Sequence, residues 1–217
     1  MAVGLITMSL EDFLKELGSP SPAPGGGSVA ALAGALSAAL CVMVSTLTAG
    51  KEKYRDSWED MEKVSREAAA LEARLRELVD HDTAAFRAVM EARKLPRGTT
   101  AEREARDRAV QEAVLQSARV PFATLSSLRE LSPLARLAAE RGNPGCVTDA
   151  GSACQMIRAG AVSAAYNVRV NLPAVRDAAV REELAGRTAR MLQEVLDESQ
   201  RTEGIVEARL AGLQAAP

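Results

Sequence analysis

Between residues 57 and 93, apolar positions recur every three or four residues: Met61, Val64, Ala68, Leu71, Leu75 and Leu78, then Ala85 and Val89. That period is the signature of a helix buried along one face. The position the series demands between Leu78 and Ala85 is 82, and Asp82 occupies it. A carboxylate therefore stands where the pattern asks for a hydrophobe.

Other segments show the same three-four spacing with different amphipathicity. Ser9 and Asp12 are placed to cap a short helix over residues 9–17. Gly26 to Ala49 contains no charged residue, and its Ala, Gly and Ser content predicts a helix buried on several sides. Gly50, followed by Lys51 and Lys53, marks its end. Residues 100–131 predict another helix, kinked at Pro121, and a short helix lies between Pro133 and the Arg141–Gly145 turn. From Thr148 to Asn171 a second nearly uncharged helix has small apolar residues on two faces. A final helix, starting at Pro173, has the seam Leu184, Thr188, Met191, Val195, Ser199, Thr202, Val206, Leu210 and Leu213. Its Ser and Thr residues are candidates to face a partner subunit. No strand pattern or internal repeat interrupts these helices, so the expected fold is all-α, an up-and-down bundle with two long, nearly uncharged buried helices.

Composition narrows the function. Aromatics are 3% of a chain whose hydrophobic share is 47%, so Ala, Leu and Val must fill the core, which suits close-packed helices. A net charge of −2 gives no basic footprint for nucleic acid. Cys41, Cys146 and Cys154 show no CxxC spacing and sit among apolar residues, as expected of free thiols in the cytoplasm. The uncharged run 29–49 is long enough to span a bilayer, but its small-residue content favours burial in a soluble bundle. With His81 the only histidine, multi-histidine metal sites are excluded and none is expected. Adjacent on a helix, His81 and Asp82 point about 100° apart and cannot orient one another.

Asp82 is the strongest candidate for chemistry, because burial raises a carboxyl pKa toward the range useful for proton transfer. A buried structural carboxylate tied to a helix N-terminus or a cation fits the pattern equally well. The stretch Pro24-Gly25-Gly26-Gly27-Ser28 leads into a helix, where backbone N–H groups can meet a ligand or the glycines can simply allow tight packing. Lys51 and Tyr54 follow the same helix. Asn143 occupies a turn, and Asp149 falls in a helical first turn. Asn167 and Asn171, four apart, share one side of a buried helix and need partners there. Asp149 and Asn167 are roughly 27 Å apart along their helix, so one small reacting group cannot touch both.

Taken in order, Pro22–Ser28, Gly50-Lys-Glu-Lys-Tyr54, Asp80-His-Asp-Thr-Ala-Ala-Phe86 with Leu95-Pro96, Gly142-Asn143 with Asp149, and Asn167 with Asn171 resemble the formimidoyltetrahydrofolate cyclodeaminase family. The family includes stand-alone bacterial proteins, some of them methenyltetrahydrofolate cyclohydrolases. The resemblance implies a single all-helical domain over residues 1–217 that forms a homodimer. It also implies a tetrahydrofolate derivative as substrate, no prosthetic group, and Asp82 as the acid–base residue. The substrate-binding residues it implies are Pro24, Gly25, Gly26, Gly27, Ser28, Lys51, Tyr54, Asn143, Asp149, Asn167 and Asn171. The implied reaction is cyclodeamination of 5-formimidoyltetrahydrofolate to the 5,10-methenyl form. Hydrolysis of that methenyl form is the alternative, and a non-catalytic folate-binding scaffold is a further one. No formiminotransferase segment is recognisable.

Overall fold

A computed structural model describes residues 4–214, with side chains through residue 212; the predicted seam residue Leu213 therefore lies outside the described side chains. Among the described residues six α-helices make up the fold: α1 Leu10–Leu17, α2 Gly26–Thr46, α3 Trp58–Lys94, α4 Thr100–Arg141, α5 Val147–Asn171 and α6 Ala178–Gln214. No strand occurs among the described residues. Short 3-10 turns at Leu5–Thr7, Glu52–Ser57, Pro144–Cys146 and Leu172–Ala174 complete the order.

The predicted seam of α3 is buried from Met61 to Val89, against α2 on one side and α4 on the other. Helix α2 is in contact with α3, α4 and α5, and its Ala30, Ala31, Ala38, Cys41 and Val44 are almost fully enclosed. Close approach is possible because these side chains are small. A Cβ on Gly34 would stand 2.9 Å from the methyls of both Leu75 and Leu128. All three cysteines are buried and unpaired. Burial pushes the Cys41 thiol up to about 12, so it packs as a small hydrophobe.

Three boundaries differ from the sequence expectation, each for a local reason. Helix α4 continues through Pro121 and Pro133 to Arg141 instead of breaking near residue 131. A helical proline deprives the carbonyl four residues earlier of its N–H donor. Here the Asn171 amide donates to the Ser117 carbonyl at 3.0 Å, and the Ser132 hydroxyl to that of Arg129 at 3.0 Å. Both orphaned acceptors are satisfied, so the helix persists. Helix α6 starts at Ala178 rather than Pro173, because Asp177 caps it by accepting from the Val180 N–H at 3.1 Å. Helix α2 ends at Thr46, and residues 47–50 form a turn. The Ser and Thr residues of the α6 seam, Thr188, Ser199 and Thr202, are buried inside the bundle and do not face outward.

Candidate active site

Helix α2 runs antiparallel to α3 but starts level with Asp82, so about eleven residues of α3 continue past its first turn. The space below that first turn is a cavity of about 340 Å³. Its roof is the glycine start of α2. Asp82, Phe86 and Met90 of α3 form one wall, Asn167, Val170 and Asn171 of α5 the other, and Ser117 of α4 the back.

Asp82 is half-buried at the roof. Its Oδ2 accepts from the Ser28 N–H at 2.9 Å and from the Ser28 hydroxyl at 3.2 Å. Ser28 is 0% exposed, and the same hydroxyl lies 2.9 Å from the Val79 carbonyl. The carboxylate thus sits on the positive end of α2, as anions do at helix N-termini. Burial nevertheless raises its pKa above the ordinary carboxylate value, while the two Ser28 hydrogen bonds oppose that rise. The result is an oriented carboxyl whose pKa lies above the ordinary carboxylate value.

Glycine is required at position 27. A Cβ there would lie 2.0 Å from Oδ1 of Asp82 and 2.5 Å from its Cγ. The glycine run therefore gives the carboxyl room against the helix end, beyond any role in packing.

On α5 both asparagines are oriented by their own helix. The amide nitrogen of Asn167 donates to the Ser163 carbonyl at 2.9 Å, and that of Asn171 to the Asn167 carbonyl at 2.8 Å. The Ser163 hydroxyl donates to the Gly26 carbonyl at 3.1 Å, tying α5 to the start of α2. Among the described residues neither carboxamide oxygen receives a hydrogen bond, so both remain acceptors beside the cavity. Pro121 contributes indirectly, because the carbonyl it orphans is what holds Asn171 in place.

The predicted site residues fall into two groups. Gly25, Gly26, Gly27, Ser28, Asn167 and Asn171 gather around Asp82; Pro24 is buried behind them and does not line the cavity. Lys51, Tyr54, Asn143 and Asp149 lie at the other end of α2, roughly 30 Å away along 21 residues of helix. There the Tyr54 hydroxyl donates to Oδ1 of Asn143 at 2.7 Å, and the Asn143 N–H donates to Thr48 at 2.8 Å. These contacts fasten the α2–α3 junction to the α4–α5 turn. Asp80 is partly buried, with Oδ1 accepting from the Leu5 N–H at 2.5 Å. His81 is exposed.

Sequence reasoning missed Phe86, Met90, Arg93, Ser117 and Ser163. The first three were detectable: at four, eight and eleven residues beyond Asp82 they share its helical face.

The opposing effects on Asp82 make a test possible. Ser28→Ala removes a hydrogen bond to the ionised form, so its pKa should rise further. If catalysis needs the carboxylate, the acid limb of the pH–rate profile moves to higher pH. An unchanged limb would show that the ionisation controlling the rate is not that of Asp82.

The formiminotransferase-cyclodeaminase family model matches residues 9–190. The methenyltetrahydrofolate cyclohydrolase of Methylorubrum extorquens is 42% identical over 175 residues, which is 81% of this chain and 84% of that protein. The formimidoyltransferase-cyclodeaminase of Mus musculus is 37% identical over 205 residues, 94% of this chain but only 38% of that longer protein. Among solved structures, formiminotetrahydrofolate cyclodeaminase from Thermotoga maritima superposes with a TM-score of 0.84 at 26% identity, covering 94% of this chain and 98% of that one.

Proposed function

The chain belongs to the formiminotransferase-cyclodeaminase family, and from that premise we propose that it is a folate one-carbon enzyme converting 5-formimidoyltetrahydrofolate to 5,10-methenyltetrahydrofolate with release of ammonia. The observation that carries this reading is Asp82: a carboxyl of raised pKa, held by Ser28 at the roof of a cavity. Nitrogen 10 of the substrate attacks the carbon of the protonated formimino group on nitrogen 5, whose nitrogen becomes an amino group. The Asp82 carboxylate takes the proton from nitrogen 10 and delivers it to the amino group as the carbon–nitrogen bond to ammonia breaks. The product is a cationic methenyl bridge, which the re-ionised carboxylate stabilises across a short distance. The free carboxamide oxygens of Asn167 and Asn171 suit the N–H groups of a pterin edge.

A second reading, methenyltetrahydrofolate cyclohydrolase, is favoured by the relative that matches over most of its own length. Water then adds to the bridging carbon and Asp82 accepts one of its protons; that proton passes to nitrogen 5 as the carbon–nitrogen bond opens, and the remaining hydroxyl proton is released to solvent as the formyl carbonyl forms. The two readings separate by substrate: one releases ammonia from the formimidoyl compound, the other bleaches the methenyl compound faster than its spontaneous hydrolysis. A folate-binding scaffold would do neither.

The site reading includes a homodimer. Helix α2 leaves an uncharged stripe uncovered, with Val29, Leu36 and Met43 at seven-residue intervals and Leu36 46% exposed. On α5 it continues through Tyr166 and Val170, which are 60% and 73% exposed. An apolar face of this kind suits a self-complementary contact. A two-fold axis through Leu36 sets Val29 against Met43 of the partner subunit. The same antiparallel register carries Lys51 of the partner subunit and Tyr54 of the partner subunit to the cavity end, reuniting the two groups of predicted site residues. Lys51 would then meet the anionic substrate from across the interface. Leu36→Asp should give a folded monomer near 22.9 kDa by light scattering, with most activity lost. A wild type that is itself monomeric at micromolar concentration contradicts the arrangement.

A further inference from the structure

The wall that α3 contributes to the cavity has a direction. Asp82 stands at one end, Phe86, Val89 and Met90 follow, and Arg93 closes the other end. Eleven residues correspond to three helical turns, so Arg93 lies on the face of Asp82, within about 20° of it and about 16 Å along the axis. Helical side chains lean toward the N-terminus, which brings the Arg93 guanidinium back toward the cavity.

Among the described residues, Asp82 and Arg93 are the only charged ones that line the cavity. Four basic side chains from this part of the chain are otherwise engaged. Lys94 pairs with Glu91 at 2.7 Å and Arg176 with Asp107 at 3.1 Å. Arg103 donates to the Gly98 carbonyl at 3.0 Å, and Arg106 donates to the carbonyl of Arg93 itself at 3.1 Å. That last contact anchors the end of α3 while leaving the Arg93 side chain free. Among the described residues, Arg93 forms no ion pair. The α3 wall thus carries a proton-transfer group at the roof, apolar side chains along its middle and an unpaired guanidinium at the mouth.

We infer that Arg93 is the specificity residue for the substrate's tail, binding a carboxylate of its glutamate. This rests on the folate reading of the same cavity and adds the orientation of the substrate within it. The one-carbon bridge lies under Asp82, the aminobenzoyl ring lies along Phe86 and Met90, and the tail carboxylate meets Arg93 at the opening. A planar guanidinium suits a carboxylate because it can donate two parallel hydrogen bonds.

The test compares a glutamate-bearing substrate with its pteroate counterpart, which lacks glutamate, for whichever reaction the wild type catalyses. Arg93→Ala should raise KM for the glutamate-bearing substrate by about tenfold, the scale of one partly exposed charge-assisted contact. It should leave kcat and both constants for the pteroate substrate unchanged, and Arg93→Lys should recover part of the loss. An equal rise for both substrates, or no rise for either, overturns the inference while the functional reading stands. No turnover of any of these substrates by the wild type overturns both.

Discussion

Replacing Asp82 by asparagine is expected to lower kcat by about 10³-fold, the middle of the range over which a positioned proton-transfer group acts. The substitution preserves volume, and the new carboxamide oxygen can still accept from the Ser28 N–H, so the helix end stays occupied. Only the ability to exchange a proton and to carry negative charge is lost. The variant should therefore bind folate and remain folded.

Wild-type stability should depend on pH in a particular direction. Burial raises the Asp82 pKa in the folded protein above its value in the unfolded chain. The folded state thus holds the proton more tightly. The stability from this linkage is fully present below the unfolded pKa and is lost as pH rises through the folded pKa. Wherever the carboxyl is ionised, the wild type holds a charge in a partly desolvated place, and Asp82→Asn does not. Thermal unfolding should show the variant at least as stable as wild type at pH 7. A dead but less stable variant would instead point to a structural carboxylate.

Gly27→Ala is expected to damage both stability and activity. The added methyl and the carboxyl oxygen cannot both stay within 2.0 Å, and the neighbour is fixed by two hydrogen bonds rather than being a free side-chain end. Either α2 shifts away from α3 or Asp82 leaves its position. Forced overpacking costs about 1–3 kcal/mol, which for a chain of this length lowers Tm by about 3–10 °C. A displacement of about 1 Å at the reacting group costs about 10² in kcat. Gly25→Ala is the control, since nothing lies within 4 Å of its Cβ and its φ of −141° suits any residue. Its Tm should stay within about 2 °C of wild type, because surface changes without contacts are nearly neutral. Equal unfolding temperatures for the two variants would show that Asp82 is not held against position 27.

Most of the helical architecture was legible because apolar spacing is local. The seam from Met61 to Val89 is buried as its period requires, and the interruption at Asp82 marks the cavity. The prolines misled for an equally physical reason. Whether a helix survives Pro121 depends on a donor for the Ser117 carbonyl, and that donor, Asn171, is 54 residues away. Local patterns cannot show it. Likewise Pro173 looked like a helix start until Asp177 proved to supply the cap. In the site, the glycine run and both asparagines converge on Asp82, whereas Lys51, Tyr54 and Asn143 gather at the far end of α2. Order along the chain carries no information about which end of a bundle a motif occupies. Phe86, Met90 and Arg93 needed only the helical period counted onward from Asp82.

The central claim is that the cavity beneath α2 makes or opens the one-carbon bridge of a folate. Its most direct test is absorbance of the methenyl chromophore with purified wild-type protein, ammonia being measured in the same reaction. With 5-formimidoyltetrahydrofolate the chromophore should appear, with one ammonia per bridge formed. If the cyclohydrolase reading holds, a methenyl substrate should instead lose absorbance faster than it does without enzyme. No change beyond the uncatalysed rate with either substrate would contradict the account.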